Sequence, residues 1–313
     1  MFQPDFSRFY YNEPQVPLWL WSGNAQTLYA KTLQRPAPPY RRELLLDSYG
    51  EDQVAYDFVD AADVHAPCVV LFHGLEGSSH SHYATELMHA VRKFGWHGVV
   101  AHFRSCGGVP SKRMYHSGDT REIAHTLNLL SQRYPNVYAV GVSLGGNALM
   151  KYLGEQGNNA VPRAAAAVSA PVNLPASGHA LIHGLPKLLY TEYFLKTLMN
   201  KVPHTPTQKI RHLGDFDDAY TAPMHGFANK DDYYRRAAAL PFLKHIATPT
   251  LLLNARNDPF LPAPYLPTLA DVSPYVYLLQ PQHGGHVAFV SGTGRGHLRW
   301  LPETLFNFFT AIT

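Results

Sequence analysis

The chain has 313 residues, 46% of them hydrophobic and only 16% charged. Its 26 basic and 23 acidic residues leave a formal charge of +3, too small and too evenly spread to expect nucleic acid as a partner. No run of about 18 apolar residues occurs, so no membrane-spanning helix is expected.

A chain of this length buries roughly three quarters of its unfolded surface without a metal or disulfide staple. Cys68 and Cys106 carry no C-x-x-C or zinc spacing, so no metal, cofactor or disulfide is expected. No basic segment followed by an apolar core opens the chain, and a cytoplasmic location is expected.

Residues 1–40 are rich in proline and aromatics and read as an arm packed on the domain, with a short helical piece at 26–30. Residues 41–60 alternate as two antiparallel strands around Tyr49-Gly50-Glu51-Asp52. The runs 68–72 and 98–103 are continuously apolar, as strands covered on both faces are. Between them Tyr83, Leu87, Val91 and Phe94 recur at helical spacing. Ile123, Leu127 and Leu130 mark the next helix, with Asp119 and Glu122 spaced as a capping pair. Strand 137–142, a helix and the alanine-rich strand 164–168 follow. Residues 171–245 break this rhythm and read as a mainly helical cap inserted into the core formed by 41–170 and 246–313. Strands at 250–254 and 275–279 resume it. A last helix begins near Trp300, burying Leu301, Leu305, Phe308, Phe309 and Ile312. The expected fold is α/β, with a mostly parallel central sheet and helices on both faces.

Gly141-Val142-Ser143-Leu144-Gly145 sits between a strand and a helix. In that context G-x-S-x-G is a nucleophile elbow, a sharp turn that lifts the serine hydroxyl above the sheet. A serine needs a base to take its proton and an acid to orient the base. In α/β-hydrolases these follow in the order Ser, Asp, His. Asp258 lies in the loop after strand 250–254, and His286 follows Gly284-Gly285 after strand 275–279. Asp271 and His283 are the rival acid and base. The oxyanion hole is expected from the backbone amides of Leu144, next to the serine, and Leu75, in the loop His73-Gly74-Leu75-Glu76-Gly77.

The chain resembles the YheT-like family of α/β-hydrolases, from about residue 18 to its end. The likeness rests on the blocks at 23–28, 73–79, 103–108, 115–120, 141–147, 216–223, 257–260 and 284–286. The blocks Tyr115-His116-Ser117-Gly118-Asp119-Thr120 and Phe216-Asp217-Asp218-Ala219-Tyr220-Thr221-Ala222-Pro223 are far more specific than the elbow. The resemblance implies an α/β-hydrolase fold and esterase activity, with Ser143, Asp258 and His286 as triad. Ala25 stands where the family usually has histidine, and Arg104-Ser105-Cys106-Gly107 replaces its usual Arg-Gly-Cys-Ser-Gly.

The function expected is a serine carboxylic-ester hydrolase that forms an acyl-enzyme on short- to medium-chain acyl esters. An acyltransferase or thioesterase with the same triad is the nearest alternative. A non-catalytic scaffold for a small apolar ligand is the alternative from another class. His116 and Asp119 are expected to shape a loop and cap a helix. The His212…Asp217 match to an acyltransferase pattern is read as coincidence. Leu181–Leu198 could touch a lipid surface, but only Lys187 and Lys196 would favour that contact.

Overall fold

The computed structural model describes residues 4–202 and 209–312, with Lys187 and Leu188 described by backbone alone. The Lys187 side chain, one of two cations on the segment that could face lipid, therefore lies outside the described residues.

Strands β1 (Arg41–Leu46) and β2 (Gln53–Val59) form the expected antiparallel pair. Asp47 closes their turn: its Oδ1 accepts the amides of Tyr49, Glu51 and Asp52 at 3.2, 3.0 and 3.3 Å. Strands β3 (Cys68–Phe72), β4 (His97–Ala101), β5 (Val137–Val142), β6 (Ala164–Val168), β7 (Thr250–Leu253) and β8 (Val276–Leu279) run parallel to one another. The sheet order is β1-β2-β4-β3-β5-β6-β7-β8, and β2 runs against both its neighbours. Parallel strands bring their C-terminal ends to one edge, where loops can build a site.

Helices α1 (Gly23–Tyr29), α2 (His82–Lys93), α3 (Thr120–Ser131) and α4 (Leu144–Gln156) precede β6. Between β6 and β7 lie α5 (Leu174–Ile182), α6 (Glu192–Met199) and α7 (Lys230–Ala237), with π-helical turns at Lys187–Thr191 and Asp217–Thr221. Helix α8 (Trp300–Ala311) closes the fold. Among the described residues no helix is long and apolar enough to cross a membrane.

The period-two geometry of the strands splits the core into two layers. Val69 and Leu71 of β3 pack with α2 and α8, while Val70 and Phe72 pack with α3 and α4. Helix α8 buries Leu301, Leu305, Phe308 and Phe309 as its spacing predicts, and Phe306 besides. Each such side chain contributes about 1.5–3 kcal/mol through the water it leaves. Ile312 instead caps the helix and is only half-buried.

Three local expectations need correction. The strand at 98–103 ends at Ala101, because the Phe103 amide donates to His73 Nε2 at 3.1 Å rather than to a neighbouring strand. Phe94 is the exposed C-cap of α2, and its ring stacks on Phe306 with centroids 4.2 Å apart. Asp119 precedes α3 but makes no capping bond. Its carboxylate is drawn to the buried Arg104 guanidinium, which also holds Glu122 at 2.5 Å and lies 3.8 Å from Asp47. Burial raises the pKa of both Asp119 and Glu122, and the arginine beside them works against that rise.

Candidate active site

Ser143 lies at the turn from β5 into α4, with φ +53° and ψ −118°. A positive φ is strained for any residue with a Cβ. The close packing of the turn imposes it. A Cβ on Gly145 would lie 2.4 Å from the Phe72 carbonyl oxygen, and one on Gly141 would lie 2.5 Å from the Gly145 carbonyl oxygen. The Ser143 amide donates to the Val168 carbonyl at 2.9 Å, so β6 also holds the turn.

His286 Nε2 lies 2.9 Å from Ser143 Oγ. Its Nδ1 lies 3.0 Å from Asp258 Oδ2 and 3.1 Å from Oδ1. A carboxylate only accepts hydrogen bonds, so Nδ1 carries the ring proton and Nε2 presents its lone pair to the serine. Phe260 stacks on the imidazole with centroids 3.9 Å apart, and its amide donates to Asp258 Oδ1 at 2.8 Å. Asp258 and His286 are both buried. The rivals sit elsewhere: His283 is exposed, and Asp271 forms a capping box with Thr268.

The support of these loops by α1 was not foreseen. The His286 amide donates to Thr27 Oγ1 at 2.8 Å. Gln26, fully buried, accepts from the Gly284 amide at 2.9 Å and donates to the Leu20 carbonyl at 2.7 Å. Gln26 and Gly284 are 258 residues apart and Thr27 and His286 259, so no local pattern reveals these contacts. The block at 23–28 was the only signal. The Val287 amide is held likewise by Ser169 Oγ at 3.0 Å.

Leu75 and Leu144 border the same cavity as Ser143. The amides beside Leu75 are engaged, Gly74 by the Tyr83 hydroxyl at 3.0 Å and Glu76 by the Tyr115 hydroxyl at 2.7 Å. No protein acceptor for the Leu75 or Leu144 amide is found among the described residues. His73 braces this loop: its Nδ1 bonds the Gly74 carbonyl at 2.7 Å. Burial drives its pKa down to about 3, so it stays neutral.

His212 and Asp217 do not pair. His212 Nδ1 accepts the Asp215 amide at 3.2 Å, whereas Asp217 bonds Tyr234 and Thr221. His116 shapes its loop by accepting the Gly118 amide at 3.2 Å, as expected. Asn147, in α4, ties the turn to the segment after β6. Its side chain donates to the Ser117 and Ala237 carbonyls, both at 2.8 Å, and accepts from the Ala239 amide at 2.9 Å.

The cavity over Ser143 holds about 580 Å³. Met114, Leu181, Phe194, Leu198 and Phe216 form an apolar part of its wall, most of them from the helical segment between β6 and β7. Tyr190 and Tyr193 also border it, while Leu195 packs behind. Leu28, Leu189 and Tyr193 are exposed at its rim.

No family model matches the chain. YheT of Escherichia coli (strain K12) is 36% identical over 304 residues, 91% of this chain and 89% of that protein. Human phospholipase ABHD3 is 30% identical, over 94% of this chain and 78% of its own. The solved structure of Est1E from Butyrivibrio proteoclasticus with ferulic acid superposes with a TM-score of 0.57 at 14% identity, covering 88% of this chain and 99% of that one. That likeness shows the α/β-hydrolase fold. The identities to YheT and ABHD3 over nearly the whole chain give the relationship: the chain belongs to the YheT-like family of α/β-hydrolases and is an enzyme of the serine-hydrolase type.

Proposed function

We propose that the protein is a carboxylic-ester hydrolase in which Ser143 is the nucleophile, His286 the general base and Asp258 the residue that orients it. The observation that carries this reading is the unbroken line of contacts from Asp258 through His286 to Ser143, ending at a cavity. Ser143 Oγ attacks the ester carbonyl carbon while His286 Nε2 takes its proton. The developing oxyanion is received by the Leu75 and Leu144 amides. As the tetrahedral intermediate collapses, the C–O bond to the alcohol breaks, and His286 returns the proton to the departing oxygen. Water then attacks the acyl-enzyme, again with His286 as base, and releases the acid and Ser143.

Residues 171–245 act as the cap in this scheme. Their apolar side chains, with Leu75 and Met114, receive a short- to medium-chain acyl group. A cavity of about 580 Å³ is of ordinary size for a small-molecule site and supports that choice.

The test is initial rates on p-nitrophenyl esters from acetate to palmitate, for wild type and Ser143→Ala. Activity peaking at short to medium chains, and falling by several orders of magnitude in the variant, is expected. An inactive wild type, or an equally active variant, refutes the reading.

A further inference from the structure

Glu76 follows Leu75, one of the two proposed oxyanion donors, and takes φ +55°. That conformation is strained for a residue with a Cβ and persists only where neighbours hold it. Two peptide planes meet at the Leu75 Cα. The plane that carries the Leu75 N–H also carries the Gly74 carbonyl, which His73 holds. The next plane is held through Glu76, whose amide donates to the Tyr115 hydroxyl. That hydroxyl donates in turn to Glu76 Oε1 at 3.0 Å, so one phenol clasps both the backbone and the carboxylate of Glu76. Tyr115 is itself buried, and its ring stacks on Phe103 with centroids 5.2 Å apart.

The third contact comes from far along the chain. Lys201 Nζ donates to Glu76 Oε1 at 2.7 Å, with the Glu76 side chain 4% exposed and that of Lys201 23%. Lys201 also lies 3.5 Å from Cys106 Sγ, but burial pushes that thiol up to about 11, so Glu76 is the anion it pairs. The Lys201 amide donates to the carbonyl of Leu198, a residue of the apolar cavity wall, at 3.0 Å. A bare carboxylate beside the place where an oxyanion forms opposes the new charge, and a neutralised one does not. We propose that Glu76 and Lys201 are a positioning pair for the oxyanion hole. The lysine, carried by the segment between β6 and β7, neutralises Glu76 and holds it against Tyr115, and so aims the Leu75 N–H at the reacting carbonyl. The segment that lines the acyl wall thereby also sets an oxyanion donor. This rests on the ester-hydrolase reading above.

The test compares two ketones as competitive inhibitors of p-nitrophenyl butyrate cleavage. With 1,1,1-trifluoro-2-heptanone the bond from Ser143 Oγ to the carbonyl carbon forms, the carbonyl π pair moves to oxygen and the serine proton to His286. The product is a tetrahedral oxyanion, whereas 2-heptanone binds without addition. A ratio of inhibition constants taken within one protein does not depend on how much of it is folded. Lys201→Met is expected to weaken the trifluoromethyl ketone and kcat about tenfold each while 2-heptanone stays within about twofold, a smaller loss than removal of a donor outright. Lys201→Arg keeps the charge and should recover most of the loss. Lys201→Met/Glu76→Gln removes the stranded carboxylate and should bind the trifluoromethyl ketone more tightly than Lys201→Met. In an active wild type, an unchanged ratio in Lys201→Met, an equal loss for both ketones, arginine as damaging as methionine, or a double variant no better than the single overturns the pair. A wild type that cleaves no ester and binds neither ketone by calorimetry refutes the hydrolase reading itself, and the pair with it.

Discussion

Thr27→Val tests whether α1 sets the position of the candidate base. Valine matches threonine in shape but lacks the hydroxyl. The Thr27 hydroxyl accepts the His286 amide at 2.8 Å and donates to the Gly23 carbonyl at 2.7 Å. Without it the His286 N–H is buried with no acceptor, at a cost of about 1–3 kcal/mol. The Gly23 carbonyl loses one partner but keeps its place in α1, a smaller loss. A drop of about 2 kcal/mol in unfolding free energy is expected, measured by urea denaturation. The amide that loses its anchor belongs to the residue whose Nε2 faces Ser143. Kcat should therefore fall about tenfold; Thr27 also borders the cavity, so KM is read separately. Thr27→Ser restores the acceptor and should recover most of both losses. If serine is as damaging as valine, methyl packing rather than the hydrogen bond matters. If valine is silent in both assays, the anchoring argument is wrong.

Acidification should destabilise the fold. Burial lowers the pKa of His73, His116 and His225 to about 3 and of His82 to about 4. These rings take up protons below about pH 6.5 only when unfolded, so the stability they confer is present above that pH and lost as it falls. Asp217, raised by burial to about 6, acts in the opposite sense and offsets part of the loss. The net expectation is about 6 kcal/mol less unfolding free energy at pH 5 than at pH 7; urea titrations showing a flat or rising stability would contradict it. Arg104→Met leaves Asp119, Glu122 and Asp47 without their buried partner and should cost about 3–5 kcal/mol. A methionine variant as stable as wild type in the same denaturation would show that the network contributes nothing net.

Much of the sheet was legible because buried parallel strands leave continuous apolar runs, as at 68–72 and 137–142, and glycine marks the turn around Ser143. The three residues nominated for the site come into hydrogen-bonding line because each follows its own strand. What stayed hidden depends on partners far away in sequence. Asp119 and Glu122 have the spacing of a capping pair, but the stronger claim on both carboxylates is Arg104, 15 and 18 residues earlier. The anchoring roles of Gln26 and Thr27 appear only once α1 lies against the loop at 284–286.

The central claim is that Ser143 carries the acyl group. The most direct measurement is intact-protein and peptide mass spectrometry after acid quench during steady-state turnover of p-nitrophenyl butyrate. One butyryl adduct, mapped to the peptide containing Ser143 and absent from Ser143→Ala, is the predicted result. Turnover with no adduct on the Ser143 peptide, or an adduct on another residue that persists in Ser143→Ala, would contradict it.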